Sequence, residues 1–351
     1  MKILHLNSDK GIHPERSKGA AVHLCAMREA FGGLGHEVLA VDQHDPGLAR
    51  QAMEAAGEVE LLYERLALSA YSGSEFASSR GVPHVLEINS PLDEEESRYR
   101  SDSGQAPSQE QLSSMLKAAD LLLCVSQDCA SWARSKGASD TRILVAPNGV
   151  DAARFHPQRR QEAALDEFVP REDFVIGFHG RLRPWHAFER LVAAVSRLLA
   201  RGYRVHLVMI GNGKFEAALA GRIERSQWTH IPWVEHEAVG AYVARFDALP
   251  LSYDPDMPCY FSPLKLLEGM AAGAVAVVPN LGDLASSVSH ESTGLVYDAR
   301  DPEALTEALA RLYNDTDLRE QLSLAGRRSA ESNSWKAIAE SVLHRIRRPV
   351  R

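Results

Sequence analysis

Short runs of apolar residues alternate along the chain with longer helix-like stretches. Apolar strands that alternate with helices predict a parallel sheet covered by helices on both faces. In the first half of the chain, the predicted strands are 2–7, 37–42, 84–89, 121–126 and 142–147, and the predicted helices include 20–34 and 49–56. This half is therefore expected to form one α/β domain.

The alternation stops between 152 and 171, where charged residues are frequent and no period is visible. It resumes with strand-like segments at 174–178, 204–211, 247–253 and 274–278 and predicted helices near 188–200 and 236–246. We therefore predict an α/β protein with two doubly wound, Rossmann-like domains that face each other across a cleft. The predicted bounds are 1–151 for the first domain, 152–171 for the linker and 172–334 for the second domain. Ligands of such sheets bind beyond the carboxyl ends of the strands, so the cleft is the expected site.

The stretch CYFSPLKLLEGMAAGAVAVVPN, 259–280, predicts a loop, a helix and a buried strand in succession. Ser262 is the expected N-cap, Pro263 the first helical residue and Gly273 the residue that ends the helix. Lys265 falls in the first turn, where the helix dipole disfavours a cation by roughly 0.3–1 kcal/mol. It is either a solvated lysine, paired with Glu268, or a sign that an anion binds at this helix start. The sequence alone leaves both interpretations open.

Loops between predicted strands and the helices that follow them contain groups suited to phosphate. Lys18 and Gly19 lie where a helix begins, so backbone N–H groups there can approach an anion closely. Arg181 follows a predicted strand and offers a guanidinium, which recognises phosphate through two parallel hydrogen bonds. Gly211 lies in a loop whose GxG is too short for a dinucleotide fingerprint. Each loop could also be an ordinary turn, but together with Lys265 they predict a diphosphate held between the domains.

Asp254 and Asp256 form a DxD pair, which can hold Mg²⁺ or Mn²⁺. The pair lies in a proline-rich loop, and DxD is a very short motif. We therefore interpret it as a loop-forming feature and predict no metal site.

Composition restricts the expected partners and compartment. The chain has 351 residues and a net charge of −8, and this negative charge argues against non-specific electrostatic binding of nucleic acid. Its four cysteines include no CxxC pair, so neither a zinc site nor a disulfide framework is indicated. The N-terminal strand is too short for a signal peptide, and no apolar run approaches the roughly 18 residues of a membrane span. We expect a cytoplasmic protein with at most peripheral membrane contact through its basic C-terminal tail.

A set of ordered motifs runs along essentially the whole chain. The motifs are KGAAVHLCAMREAFGGLGHEV, VAPNGVDAARFHP, GRLRPWHAFERLV, SPLKLLEGMAAGAVAVV and NSWKAIAESVL. In this order they resemble the GT-B glycosyltransferases of family four, the retaining group-1 enzymes. The resemblance implies the GT-B fold, and it implies that the terminal helix, about 335–348, packs back on the first domain.

The resemblance also implies roles for individual residues. A nucleotide sugar would bind the second domain, and an acceptor would bind the first. Gly19 would offer a backbone N–H to the diphosphate, and Arg181 would neutralise its charge. Glu268 would accept hydrogen bonds from the ribose hydroxyls, and Val234 falls where the family's backbone contacts the base. The helix start under the phosphates would comprise Ser262, Pro263 and Leu264.

The chain departs from the family pattern at three positions. Tyr260 occupies the first position of the family's glutamate pair, His186 replaces the usual lysine, and Asn89 stands where the family has a histidine. Lys265 could compensate, because a cation there could replace the lost phosphate lysine. The catalytic candidates are Arg181, Lys265 and Asn89. The expected donor-binding residues are Lys18, Gly19, Arg181, His186, Gly211, Val234, Ser262, Pro263, Leu264, Lys265 and Glu268.

The predicted reaction is transfer of a sugar from a nucleoside diphosphate sugar to a hydroxyl acceptor, with retention at the anomeric carbon. A UDP-sugar is the expected donor, and no metal or other cofactor is expected. The acceptor would depend on 11–17 and 88–100, including the acidic run 93–96, and its identity is not readable. Alternatives are a catalytically weakened nucleotide-sugar binding or scaffold protein and a sugar-nucleotide 2-epimerase. A dinucleotide oxidoreductase is disfavoured by the incomplete glycine motif.

Overall fold

The computed structural model describes residues 1–14, 19–67, 72–94, 109–162, 164–260 and 262–347. The chain divides into two compact units. Unit 1 comprises Met1–Gly149, Tyr260–Ser262 and the C-terminal segment that starts at Trp335, and unit 2 comprises Val150–Cys259 and Pro263–Ser334. Among the described residues, no helix is both long and apolar enough to cross a membrane.

The described part of unit 1 is built on a six-stranded parallel sheet. Its strands are β1 (Lys2–Asn7), β2 (Glu37–Asp42), β3 (Leu61–Arg65), β4 (His84–Ile88), β5 (Leu121–Cys124) and β6 (Ile143–Val145). They lie in the order β2-β1-β3-β4-β5-β6. The central strands β3, β4 and β5 are buried along their whole length, as expected for a parallel sheet with helices on both faces.

Helices connect these strands, and local sequence explains where several of them start. They are α1 (Gly19–Gly33), α2 (Pro46–Ala55), α3 (Ser72–Arg80), α4 (Gln109–Ala118) and α5 (Gln127–Ser135). The Asp45 side chain caps α2 by accepting from the N–H groups of Gly47 and Leu48, with Pro46 at the first helical position. Ser126 caps α5 by accepting from the N–H of Cys129.

The described part of unit 2 also contains a six-stranded parallel sheet. Its strands are β7 (Phe174–His179), β8 (Val205–Ile210), β9 (Trp228–Ile231), β10 (Ala248–Pro250), β11 (Val275–Pro279) and β12 (Leu295–Tyr297). Their order is β12-β11-β10-β7-β8-β9. The chain builds outward from β7 to β9 and then returns to the other side of β7 with β10. The order of strands therefore reverses between β7 and β10, and in open α/β sheets this is the position where ligands bind.

Helices of unit 2 cover this sheet. They are α6 (Phe188–Ala200), α7 (Phe215–Leu219), α8 (His236–Val243), α9 (Leu264–Ala271), α10 (Gly282–Ser287), α11 (Ala304–Asn314) and α12 (Thr316–Ser332). One core cluster contains Phe178 of β7, Leu191 of α6, Met209 of β8 and Leu309 of α11. The segment expected to be an irregular linker instead contains the 3-10 turns Pro157–Glu162 and Ala164–Glu167 and belongs to unit 2.

The C-terminal helix α13 (Trp335–Arg347) belongs to unit 1 and packs against α1. Gly149 lies against its start, since a β-carbon on Gly149 would come within 2.6 Å of the Trp335 backbone nitrogen. This close approach explains why NGVD contains a glycine there. Residue 348 of the helix predicted at 335–348 lies outside the described residues.

The predicted strands are all present, but β3, β9 and β12 were not predicted. The core of β3 contains the polar residues Glu64 and Arg65, both buried, so its sequence lacks a continuous apolar run. Glu64 pairs with His84 at 2.9 Å, and Arg65 pairs with Glu87 at 2.8 Å. Partners on β4 thus allow a charged sequence to form a buried strand.

Candidate active site

The loops that follow β7 and β8 touch through their backbones. The N–H of Gly180 donates to the Ile210 carbonyl at 2.8 Å, and the N–H of Leu182 donates to the Asn212 carbonyl at 2.9 Å. Gly211 has a φ of +114°, and a β-carbon there would lie 2.6 Å from the Gly180 carbonyl oxygen. Gly211 is therefore required by conformation and by close approach.

Arg181 follows this turn directly, at the carboxyl end of β7. Its side chain is exposed, and no ion pair or hydrogen bond holds it within the described part of the chain. The guanidinium keeps its charge and can turn toward an anion at this edge of the sheet. Arg181 thus lies beside β7, where the strand order reverses.

Lys265 lies in the first turn of α9, which follows β10, the neighbour of β7. Its Nζ lies 3.0 Å from Nε2 of His186 and 4.3 Å from the centre of the Phe178 ring. The side chain is partly buried, and burial lowers the pKa of Lys265 to about 7, although the nearby Glu268 carboxylate raises it. This lysine is not a fully solvated surface residue.

His186 ends the 3-10 turn Pro184–His186 and is buried. Burial, and then the charges of Lys265 and Arg183, lower the pKa of His186 to about 2, so the imidazole is neutral near pH 7. Its Nδ1 accepts from the Arg183 N–H at 3.0 Å, and its own carbonyl accepts from the Ser252 hydroxyl at 2.9 Å. The ring is held in one orientation beside Lys265.

Glu268 lies one turn after Lys265 on α9. Its Oε2 lies 2.8 Å from Nε2 of His179, the last residue of β7. Within the described residues, Lys265 forms no ion pair with a carboxylate, so the suggested surface pair between Lys265 and Glu268 is wrong. The reason is geometric: Glu268 turns toward the end of β7, while Lys265 reaches the turn that contains His186.

The start of α9 also differs from the prediction. Helix α9 begins at Leu264, and Pro263 is its N-cap residue, with φ −75° and ψ 117°. No side chain caps the helix, so Ser262 is not the N-cap. The Ser262 hydroxyl instead accepts from the Asn148 N–H at 2.9 Å in unit 1. The Leu266 N–H donates to the Pro263 carbonyl at 3.1 Å, whereas no side chain in the described part of the chain caps the N–H groups of Leu264 and Lys265, which can face an anion.

The remaining donor candidates of unit 2 lie on neighbouring loops. Val234 follows β9, two residues before α8 begins. Asp254 accepts from the backbone N–H of Asp256 at 2.9 Å, and Asp256 pairs with Arg300 at 3.2 Å. In the described part of the chain, no group of three or more His, Cys, Asp or Glu residues is placed to hold a metal ion.

The candidates of unit 1 lie at the carboxyl edge of its own sheet. Gly19 is the first residue of α1, and Lys18 lies outside the described residues. Asn89 follows β4 and donates its amide N–H to Glu87 Oε1. Asn89 thus lies at the end of β4, as expected, and is bound to a buried carboxylate.

Glu87 is the centre of a buried polar cluster in unit 1. Its carboxylate accepts from the Tyr63 hydroxyl and from Arg65 at 2.8 Å, and its Oε2 lies 2.8 Å from Nε2 of His23. Burial alone would raise the pKa of Glu87, but the charges and hydrogen bonds of His23, Arg65 and Tyr63 hold it well below the usual range. Glu87 is therefore a buried anion with matched partners.

His23 extends this cluster toward Ser262. Its Nδ1 lies 2.6 Å from Oδ1 of Asn148, and the Asn148 amide donates to the Ser262 carbonyl at 2.5 Å. The two ring nitrogens of His23 thus lie beside oxygens of two different residues, Glu87 and Asn148. His23 and His179 were not singled out from the sequence. Both histidines lie within sequence motifs that could have drawn attention to them. His23 is in the HL of the first helix, and His179 is in GFHGR at the end of β7.

Of the acidic run 93–96, Asp93 is held within unit 1, and residues 95 and 96 lie outside the described residues. Asp93 accepts from Trp132 Nε1 at 2.7 Å and from Lys136 Nζ at 2.5 Å. Burial raises its pKa, but hydrogen bonds from Gln109, Lys136 and Trp132 outweigh this and lower the pKa to about 2. Asp93 thus has a structural role that ties α5 to the segment after β4.

Two family profiles match consecutive parts of the chain. The profile described as Glycosyltransferase Family 4 matches residues 65–154, and the profile described as Glycosyl transferases group 1 matches residues 173–315. The matches cover most of unit 2 and the second half of the unit 1 sheet.

Curated proteins of known name are similar over shorter parts. D-inositol 3-phosphate glycosyltransferase of Corynebacterium jeikeium is 30% identical over 244 residues, which are 65% of this chain and 57% of that protein. GDP-mannose-dependent alpha-mannosyltransferase of Mycobacterium tuberculosis is 29% identical over 196 residues, or 56% of this chain and 48% of that protein. The chain thus matches only about half the length of these relatives.

Solved structures match nearly the whole chain. Sucrose-phosphate synthase from Thermosynechococcus elongatus superposes with a TM-score of 0.78 at 17% identity, covering 99% of this chain and 98% of that one. Anabaena HepE in complex with UDP-glucose has a TM-score of 0.73 at 17% identity and 98% coverage of both chains. At this identity the likeness shows the fold. The chain has the GT-B fold and belongs to the family 4, or group 1, glycosyltransferases.

Proposed function

We propose that the protein transfers a sugar from a nucleoside diphosphate sugar to a hydroxyl group of an acceptor, with retention at the anomeric carbon and without a divalent metal. The observation that carries the proposal is the carboxyl edge of the unit 2 sheet. Arg181, Lys265 and the uncapped start of α9 all lie after β7 and β10, the strands between which the order reverses.

The reaction places negative charge on the leaving diphosphate as the bond to the sugar breaks. Positive groups and backbone dipoles that are already in place lower the barrier, because they need no reorganisation during the reaction. Arg181 provides a planar guanidinium, and Lys265 provides a point charge in the first turn of α9, beside the N–H groups of the helix start. The leaving phosphate itself would take the proton of the acceptor hydroxyl, so no protein nucleophile is required.

Other residues of unit 2 would hold the nucleoside. Glu268 would accept hydrogen bonds from the ribose hydroxyls, and its pair with His179 fixes the carboxylate for this purpose. The backbone of Val234 would contact the base. Gly211 allows the loops after β7 and β8 to lie close together beside the diphosphate.

The acceptor would bind unit 1, where Asn89 and the Glu87 cluster lie at the carboxyl ends of the strands. Gly19 and Lys18 would add a helix start and a cation to the diphosphate. A UDP-sugar is the proposed donor, because Anabaena HepE was solved with UDP-glucose and with UDP. The curated relatives are named for other substrates, GDP-mannose and D-inositol 3-phosphate, so the sugar and acceptor need direct tests.

A thermal-shift panel of UDP-, GDP-, ADP- and dTDP-sugars tests the donor. We expect a UDP-sugar to raise the melting temperature most, with an equal shift in EDTA. At 100 times the Kd, a ligand that binds only the folded state adds about 2.7 kcal/mol of stability. Loss of binding in EDTA would contradict the metal-free proposal. Binding without hydrolysis or transfer on any acceptor would favour a nucleotide-sugar binding protein.

A further inference from the structure

The pair His186 and Lys265 has a defined direction of hydrogen bonding. Nδ1 of His186 lies 3.0 Å from the backbone nitrogen of Arg183, with the N–H pointing at it. A backbone N–H can only donate, so Nδ1 carries no proton. A neutral imidazole must then carry its proton on Nε2. Since Nε2 lies 3.0 Å from Lys265 Nζ, it is the donor of that hydrogen bond.

The acceptor of that bond must have a lone pair. An ammonium group has three N–H donors and no lone pair, whereas a neutral amine has one lone pair that can accept a hydrogen bond. We infer that Lys265 is an unprotonated amine in the ligand-free protein and takes up one proton from solvent when the donor diphosphate binds. The inference rests on the proposed function, since it takes the diphosphate as the ligand of Lys265.

The groups around the pair agree with this assignment. On α9, the carboxylate of Glu268 is paired with His179 of β7 and is not an ion-pair partner of Lys265. The face of Phe178 attracts a cation, but the ring carries no net negative charge and cannot replace a carboxylate as the counter-ion of an ammonium.

Among the described residues around Lys265, the other titratable groups supply no negative charge. From the loop after β10, Tyr253 packs its ring against His186, and burial raises the pKa of its hydroxyl, which keeps it neutral. Arg183 adds positive charge beside His186, which disfavours a second cation there. Burial lowers the pKa of Lys265 to about 7, in the direction that the hydrogen-bond geometry requires.

The consequence is a coupling between protons and nucleotide affinity. A diphosphate placed at Lys265 favours the ammonium and raises the pKa of this group. Each phosphate of a nucleoside diphosphate sugar has one ester and one anhydride bond and keeps a single, strongly acidic hydroxyl. Both are therefore fully ionised near neutral pH, so the proton is taken up by the protein. Above about pH 7 the affinity should fall by up to tenfold per pH unit, because one proton must bind with each donor.

Calorimetric titration with UDP-glucose in buffers of different ionisation enthalpy measures this proton uptake. We expect close to one proton per UDP-glucose at about pH 8 and close to none at about pH 6. Lys265→Arg should bind without uptake, since a guanidinium remains protonated in both states. The matched control is Lys336→Met on α13, an exposed lysine paired with Glu340, and it should keep the uptake of the parent protein.

NMR titration of isotope-labelled lysine side chains gives a second test that needs neither ligand nor activity. The Lys265 signal, assigned through its loss in Lys265→Met, should titrate near pH 7. An apparent pKa close to the ordinary lysine value of about 10.4 would overturn the inference whether or not nucleotides bind. UDP-glucose binding without proton uptake at about pH 8 would overturn it while leaving the proposed function intact. Failure of every nucleoside diphosphate sugar to bind would instead overturn the proposed function.

Discussion

Glu268 of α9 and His179 of β7 form a pair in which Oε2 lies 2.8 Å from Nε2, with the ring buried and the carboxylate side chain 12% exposed. The pair joins the helix start to the strand beside which the sheet order reverses. One oxygen of the carboxylate is therefore committed to the protein before any ligand binds. His179 acts as a positioning residue for the carboxylate that we assign to the ribose.

Glu268→Ala should weaken both the fold and nucleotide binding. Its loss leaves a buried N–H of His179 without its acceptor, at a cost of about 1–3 kcal/mol. Calorimetry with UDP-glucose and thermal unfolding measure the two effects separately. Glu268→Gln, which can still accept from His179, should keep most of the stability and lose affinity. Glu224→Ala on the exposed surface should change neither by more than about 0.5 kcal/mol. Unchanged affinity in Glu268→Ala would contradict the ribose role.

Lys265 should make the ligand-free protein more stable as the pH rises. Burial lowers its pKa to about 7 in the folded protein, whereas an unfolded chain has a lysine pKa of about 10.4. Between these values the unfolded chain binds more protons, so the free energy of unfolding rises with pH. We expect Lys265→Met to lose this increment and to equal or exceed the parent in stability near pH 7. Denaturant unfolding of both proteins across this range measures the difference. If the free energy of unfolding changed with pH in the same way in both proteins, the lowered pKa of Lys265 would be contradicted.

Arg181→Ala and Lys265→Met should each lower the turnover of sugar transfer by about two orders of magnitude, the usual effect of losing one group that stabilises developing charge. The double variant should lose less than the product of the two effects, because both groups would serve the same phosphates. Arg181 is exposed, so Arg181→Ala should leave the melting temperature unchanged. Steady-state transfer rates with saturating donor provide the measurement. Normal turnover in Lys265→Met would show that no anion depends on this lysine.

Glu87→Gln should destabilise unit 1 by about 3–5 kcal/mol, because the Arg65 guanidinium would remain as a buried charge without its anion. The pKa of Glu87 is held below its usual range, so its contribution is present near neutral pH and is lost as the pH falls below about 4. Hydrogen exchange of β3 and β4 amides reports on unit 1 separately from unit 2. The control Glu75→Gln, which breaks only an exposed pair with Arg50, should change exchange little. Equal protection in the two variants would show that the cluster contributes little stability.

The sequence determined the features that depend on local patterns. Alternation of apolar strands and helices predicted two parallel sheets, because the period of each element is written in neighbouring residues. Gly273 ends α9 with a φ of +95°, as its position after the helix predicted. Arg181 and Gly211 lie in the loops after their strands and Lys265 lies in the first turn of the helix after its strand, since chain order fixes which segment follows which strand.

The tertiary structure decided which side chains meet. Lys265 pairs with His186 across 79 residues, and Glu268 pairs with His179 across 89 residues. No local rule connects positions so far apart, and the nearby pair of Lys265 with Glu268 that helical spacing allowed does not form. Ser262 was a reasonable cap by residue type, but its hydroxyl is occupied by the Asn148 N–H.

The difference between local patterns and distant contacts also explains why β3 was not predicted from the sequence. LLYER does not have the continuous apolar run of a central strand, and only the partners His84 and Glu87 on β4 make burial of Glu64 and Arg65 tolerable. The desolvation cost of burying a charge is offset when a second element supplies a counter-charge and hydrogen bonds. Sequence periodicity thus determines the elements whose apolar pattern is local, and contacts between distant elements decide the remaining strands and the pairing of side chains in the site.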